Sequence, residues 1–371
     1  MSYVDRERAP GPKRLLALDG GGIRGALTLE ILAALEEMLR EETGADESFV
    51  LGDWFDYIAG TSTGAIIAAG LSFGKSVQEI NDLYETLGRE MFRKQVLPRR
   101  FWYRYRADSL SSTLKRELGE HTTFGDPRLR TLLMMVLRNA STDSPWPLSN
   151  ATVGRFNDRS LPDCNLDLPL WQLVRGSTAA PIYFPAEVIS IGGRNIVFSD
   201  GGMTSYNNPA FQLFLMATLD SYGLRWPTGE KSLLLVSVGT GYHPDANKNL
   251  KLSRMHLMHN AQSIPSALMF AALMQQDMLC RVFGRCLVGG EIDSEVGDLH
   301  AEHGPAEDKL FTYLRYNADI SGPGLTALGL GHLDPHELRR LDSVQQIPGL
   351  QAVGRAVAAR DVQAEHYRAF L

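Results

Sequence analysis

Short apolar runs alternate with longer amphipathic stretches over much of the chain. Residues 14–19 are an apolar run closed by Asp19, the pattern of a strand buried on both faces. Over 26–42, Leu29, Leu32, Ala33, Leu35, Met38 and Leu39 recur at helical spacing, with Glu36, Glu37, Arg40 and Glu41 opposite, which predicts an amphipathic helix. Run 55–59 predicts a second strand and run 65–71 a helix behind it. Further strands are expected over 195–199 and 233–238. Strand and helix in alternation predict an α/β fold, a three-layer α/β/α arrangement on a mostly parallel central sheet. Residues 250–284 read as a methionine-rich helix in which Phe270, Met274, Met278 and Val282 recur every fourth position. A core helix is the simplest expectation, and an acyl-chain groove or lid is the alternative that flexible methionines allow. Residues 336–371 predict charged amphipathic helices.

No Pro/Gly/Ser linker, internal repeat or low-complexity run divides the 371 residues. The expected organisation is a loose arm over 1–12, a catalytic core over 13–245, and a mainly helical part over 246–371 packed on the same domain.

The chemistry concentrates at the turns. Gly60-Thr61-Ser62-Thr63-Gly64 joins a strand to a helix. A serine in such a tight elbow projects its hydroxyl above the sheet, with small neighbours because the turn has no room for side chains. Upstream, Gly20-Gly21-Gly22-Ile23-Arg24-Gly25 joins the first strand to the first helix, exposing N–H groups at the positive end of a helix dipole. Three uses compete. A dinucleotide site would ask for a second strand ending in an acidic residue about 20 positions on, yet the next apolar run leads into the serine elbow. A Walker loop would ask for a following Gly-Lys-Ser/Thr, which is missing. An oxyanion hole serving Ser62 agrees with both loops.

A serine nucleophile needs a proton acceptor. Asp200-Gly201-Gly202 ends the strand expected over 195–199, where a carboxylate can reach a neighbouring elbow. His243 follows the strand over 233–238, so Ser62, Asp200 and His243 fall in the chain order of an α/β-hydrolase triad. D-G-G-G-x-R-G over 19–25, G-x-S-x-G over 60–64 and D-G-G over 200–202, in that order, resemble the patatin-like phospholipases. The resemblance runs from residue 14 to about 241. It implies a serine–aspartate dyad with Ser62 as nucleophile and Asp200 as general base. It also implies oxyanion donors from Gly20, Gly21 and Gly22, Arg24 at the loop's basic position, and Gly25, Gly60, Gly64, Gly201 and Gly202 as supports. The substrate it implies is a fatty-acyl ester of a glycerophospholipid; the residues alone argue for ester cleavage.

Composition narrows the setting. A net charge of −6 argues against a global nucleic-acid role. Cys164, Cys280 and Cys286 form no C-x-x-C pair and read as reduced thiols of a cytoplasmic protein. The charged N-terminus lacks a secretory apolar core, and the uncharged stretch 57–74 reads as buried strand and helix rather than a span. No metal-ligand motif or cofactor is expected. Arg93, Lys94, Arg99, Arg100, Arg104 and Arg106 interleave with Phe101, Trp102, Tyr103 and Tyr105. Such a mixture suits peripheral contact with an anionic membrane, contact with nucleic acid, or a structural segment whose rings enter the core. An effector of unspecified kind is a further possible partner.

Overall fold

The computed structural model describes residues 1–91, 107–181, 183–244 and 257–371. The arginine–aromatic stretch from Arg93 to Arg106 lies outside the described residues. Among the described residues nine strands form one sheet: β1 (Lys13–Leu18), β2 (Tyr57–Thr61), β3 (Leu132–Asn139), β4 (Ser144–Ser149), β5 (Glu187–Ile191), β6 (Arg194–Asp200), β7 (Leu233–Val238), β8 (Arg285–Val288) and β9 (Thr312–Tyr316). The order is β5-β6-β3-β2-β1-β7-β9-β8, with β4 also on β3. From β3 across to β8 neighbouring strands are parallel; β4, β5 and β6 add the antiparallel pairs. The inner strands β2, β7 and β9 are buried end to end, as a sheet covered on both faces requires. Helices Gly25–Thr43 and Ile347–Asp361 pack on each other, as do Ala210–Thr218 and Leu257–Phe283. The expected α/β architecture is therefore observed.

The register of β3 positions the site. One edge of β3 pairs with β2 up to Thr61↔Val136, while β4 occupies the opposite edge. On the next rung Leu137 pairs with Asp200 of β6. Because β4 already holds the other edge there, β6 takes over the edge that β2 vacates. Thr61 and Asp200 thus stand on successive rungs of one strand edge, although 138 positions separate Ser62 from Asp200 in the chain.

Three expectations need correction. The first dozen residues are not a loose arm: Tyr3–Arg8 is a helix capped by Ser2, and Arg6 is buried. Arg6 pairs with Asp56 at 3.2 Å and donates to the carbonyls of Gly52, Asp53 and Arg130, so carbonyls and a carboxylate on the core hold the segment down. Residues beyond 245 supply β8 and β9 to the central sheet as well as helices. Among the described side chains of the helix Leu257–Phe283 the buried positions are Leu273, Gln276, Asp277, Cys280 and Arg281, whereas Met278 is exposed. The apolar row through Phe270 and Met278 is therefore not the buried face. A polar cluster claims that face instead, as described below.

Candidate active site

Ser62 lies between β2 and the helix Thr63–Ser72, with φ 54° and ψ −120°. A positive φ on a non-glycine residue is costly, and it persists only where the surroundings over-determine it. The surroundings do so here. A Cβ on Gly60 would stand 2.1 Å from the Gly64 carbonyl oxygen, and one on Gly64 would stand 2.3 Å from that of Leu18. The Ser62 N–H donates to Ser177 Oγ at 2.9 Å, and Ser177 Oγ donates to the Val136 carbonyl at 2.7 Å. Thr61 Oγ1 donates to the Tyr206 carbonyl at 2.7 Å.

The Ser62 hydroxyl donates to Asp200 Oδ2 at 2.7 Å. The other carboxylate oxygen, Oδ1, accepts the Gly202 N–H at 2.7 Å. Asp200 is 5% exposed. Burial pushes its carboxyl up to about 6, opposed by the hydrogen bonds from Ser62 and Gly202 and by the charge of Arg175. Arg175 is itself fully buried: one nitrogen donates to the Pro185 carbonyl at 2.8 Å, while Nε and Nη1 have no hydrogen-bond partner.

The glycine loop runs against the elbow, since a Cβ on Gly20 would stand 3.3 Å from Ser62 Cβ. Its donors are not equivalent. The Gly20 N–H is spent on the Asn207 carbonyl at 3.0 Å, which removes Gly20 from the expected set of three donors. Among the described residues the Gly21 and Gly22 N–H groups enter no hydrogen bond. Gly22 has φ 57°, and its carbonyl accepts from Tyr84. The next N–H, of Ile23, donates to the Leu341 carbonyl at 2.9 Å, so the C-terminal part braces the loop. Arg24 is also occupied: its N–H donates to the Gly21 carbonyl and its guanidinium to the Gly241 carbonyl at 3.2 Å. It ties two loops together.

A family model described as patatin-like phospholipase matches residues 16–214, which contain the elbow, the glycine loop and Asp200. The chain belongs to the patatin-like phospholipase family. It is 34% identical over 212 residues to a "cGAMP-activated phospholipase" of Vibrio cholerae, covering 53% of this chain and 56% of that one. It is 35% identical over 237 residues to an "Intracellular phospholipase A2" of Caenorhabditis elegans, covering 62% of this chain and 20% of that one. A second "cGAMP-activated phospholipase", from Escherichia coli, is 29% identical over 252 residues, covering 65% and 64% respectively. The chain thus spans about half of the Vibrio relative and a fifth of the nematode one.

Within this patatin-like site the structure brings Ser62, Asp200, Gly201, Gly202 and the glycine loop together and leaves His243 apart. Both Asp200 oxygens are taken by Ser62 and Gly202, and His243 Nδ1 is buried without a partner. Burial and the nearby Arg339 push the His243 imidazole down, toward its neutral form.

Several site residues escaped the sequence reading. Ser177, in a run of small residues ending at Pro181, holds the elbow N–H. Asn207 holds Gly20, and its buried Oδ1 has no partner. Asp19 stood in the glycine motif, but its partner did not: it is fully buried and paired with Arg315 of β9 through two bonds of 3.0 and 2.6 Å. Arg315 also donates to Ser237 Oγ at 2.7 Å and lies 3.9 Å from Asp277, which pairs with Arg281. The one signal for this cluster was an arginine inside an apolar strand, since a buried charge demands a partner. Among the described residues no helix is long and apolar enough to cross a membrane.

Proposed function

We propose that this protein is a serine acyl hydrolase that cleaves fatty-acyl esters of glycerophospholipids through a Ser62–Asp200 dyad. The observation that carries the proposal is the 2.7 Å bond from Ser62 Oγ to a buried Asp200 whose carboxyl is raised to about 6. Such a carboxylate is ionised at neutral pH, yet it is a stronger base than a free aspartate at about 3.9. As Ser62 Oγ attacks the ester carbon, Asp200 Oδ2 takes its proton. The oxyanion faces the Gly21 and Gly22 N–H groups. The bond to the alcohol then breaks, and Asp200 returns the proton to that oxygen. Water attacks the acyl-enzyme, gives a proton to Asp200, and Ser62 recovers it as the fatty acid leaves. The lipid substrate rests on family membership.

Intact-mass spectrometry after fluorophosphonate treatment tests the dyad. Wild type and His243→Ala should gain one adduct at similar rates, Ser62→Ala none, and Asp200→Asn should label about 10²–10⁴-fold more slowly. Adduct on Ser62→Ala, or slow labelling of His243→Ala, sinks it. Release of fatty acid from phosphatidylcholine and phosphatidylglycerol vesicles then tests the substrate class.

A second reading, control by a nucleotide effector, is favoured by the names of the Vibrio and Escherichia relatives. It predicts that cyclic GMP–AMP accelerates Ser62 labelling. An unchanged rate at saturating ligand removes it.

A further inference from the structure

A cavity of about 710 Å³ opens where β4, the loop over 151–165, the β5–β6 turn and the turn at Ser221 and Tyr222 meet. Its volume falls in the range of small-molecule sites. Neither Ser62, Asp200 nor the glycine loop lines it.

Its walls combine two chemistries. Arg155 and Arg194 both line it, and among the described residues neither has a carboxylate within ion-pair distance. The lining holds one carboxylate, Asp163, so the described walls carry a net positive charge. Trp146 lines it, backed by Phe198 in a stacked contact at 4.8 Å, and Phe156 beside it is 53% exposed. Trp146 is half-buried, whereas the exposed Phe156 ring, with the Arg155 guanidinium 5.7 Å from its centroid, is a surface for another flat group. Asn157 is 5% exposed, its amide nitrogen donates to the Ser149 and Ala151 carbonyls at 2.8 and 2.5 Å, and its buried Oδ1 has no partner. That oxygen has no accessible surface of its own, so Asn157 shapes the wall rather than meeting a ligand.

Guanidiniums without a carboxylate partner suit phosphate oxygens, and an exposed ring suits a base. We propose that this cavity binds a nucleotide phosphate ester at a site separate from the dyad. Its consequence for activity rests on the effector-controlled reading above. β6 carries Arg194, Asn195 and Ile196 at the cavity and Asp200 at its other end. A ligand that orders the first end therefore acts on the strand that positions the base.

Titration calorimetry of the Ser62→Ala protein with ATP, cyclic GMP–AMP and inorganic phosphate tests the site. Saturable binding of at least one nucleotide is expected, weakened about ten-fold or more by Arg155→Gln/Arg194→Gln and by Phe156→Ala. The same substitutions on the Ser62 background should leave the unliganded fluorophosphonate rate unchanged, which reports an intact fold. Absence of nucleotide binding, an affinity indifferent to both variants, or phosphate binding as tightly as the nucleotides overturns the assignment. Nucleotide binding without Ser62 labelling sinks the hydrolase and leaves the cavity standing; labelling without nucleotide binding does the reverse.

Discussion

Asp19 and Asp200 are a similar local feature met twice: Asp19 directly follows β1 and precedes three glycines, and Asp200 ends β6 and precedes two. Both are buried, and burial pushes both carboxyls up. They differ in what answers the charge. Asp19 meets a guanidinium through two bonds, and that attraction pulls its carboxyl back while holding Arg315 protonated. Asp200 meets a hydroxyl and one N–H, with a cation near but not bonded. A complete ion pair makes Asp19 inert and useful for tying β1 to β9. Incomplete compensation leaves Asp200 basic. On the proposed dyad, the lesson is that a buried carboxylate is left free to act as a base by the counter-charge it lacks.

The comparison breaks most directly at Arg315. Arg315→Met strands the Asp19 carboxylate and should cost about 3–5 kcal/mol in urea unfolding, with the loss growing as pH rises and Asp19→Asn restoring part of it. A loss below about 1 kcal/mol would mean that the pair is not what holds β9 to β1.

Next in size is Gly21→Ala, whose Cβ would stand 2.2 Å from Thr240 Oγ1. Displacing that N–H should lower ester turnover about 10²–10³-fold with folding kept, as read by kcat and circular dichroism. Full activity would remove Gly21 from the oxyanion role.

Asp200→Asn gives the opposite stability sign to Arg315→Met. The folded-state pKa of about 6 lies above the ordinary 3.8, so protonation of Asp200 favours the folded state at low pH, and that contribution is lost as pH rises through about 6. The variant should therefore be more stable than wild type at pH 8 by about 1–3 kcal/mol while losing activity. In wild type, kcat/KM should rise with pH to a plateau, with a midpoint near 6. A flat profile between pH 5 and 8 would contradict the assignment of Asp200 as base.

The smallest effect is expected at Arg175, whose charge lowers the Asp200 carboxyl. Arg175→Met should move the kcat/KM midpoint upward and change the plateau less than about ten-fold. A downward move would mean that Arg175 acts by another route.

Much of this was legible in the chain. The strands behind Asp19, Ser62 and Asp200 follow from apolar runs, and the three glycine-bearing motifs mark where they end. Burial on both faces leaves β1 and β2 nearly free of polar residues, so those runs stand out, while the antiparallel β6 shows only its short apolar centre. The N-terminal helix was not legible, because its anchor Arg6 reads as surface charge until Asp56 and three carbonyls are placed around it. Ser177, Asn207 and the Leu341 carbonyl were hidden for the same reason: backbone partners leave no pattern along the chain.

By itself the sequence determined which residues can carry the chemistry, since strand propensity, glycine's tolerance of close approach and the serine elbow are local properties. Tertiary structure alone decided which of two similar aspartates accepts the Ser62 hydroxyl, which glycine N–H groups stay free among the described residues, and that His243 stands aside. Those outcomes depend on charges and donors brought together from positions as far apart as 19 and 315, and electrostatics in a buried site follows distance in space rather than along the chain.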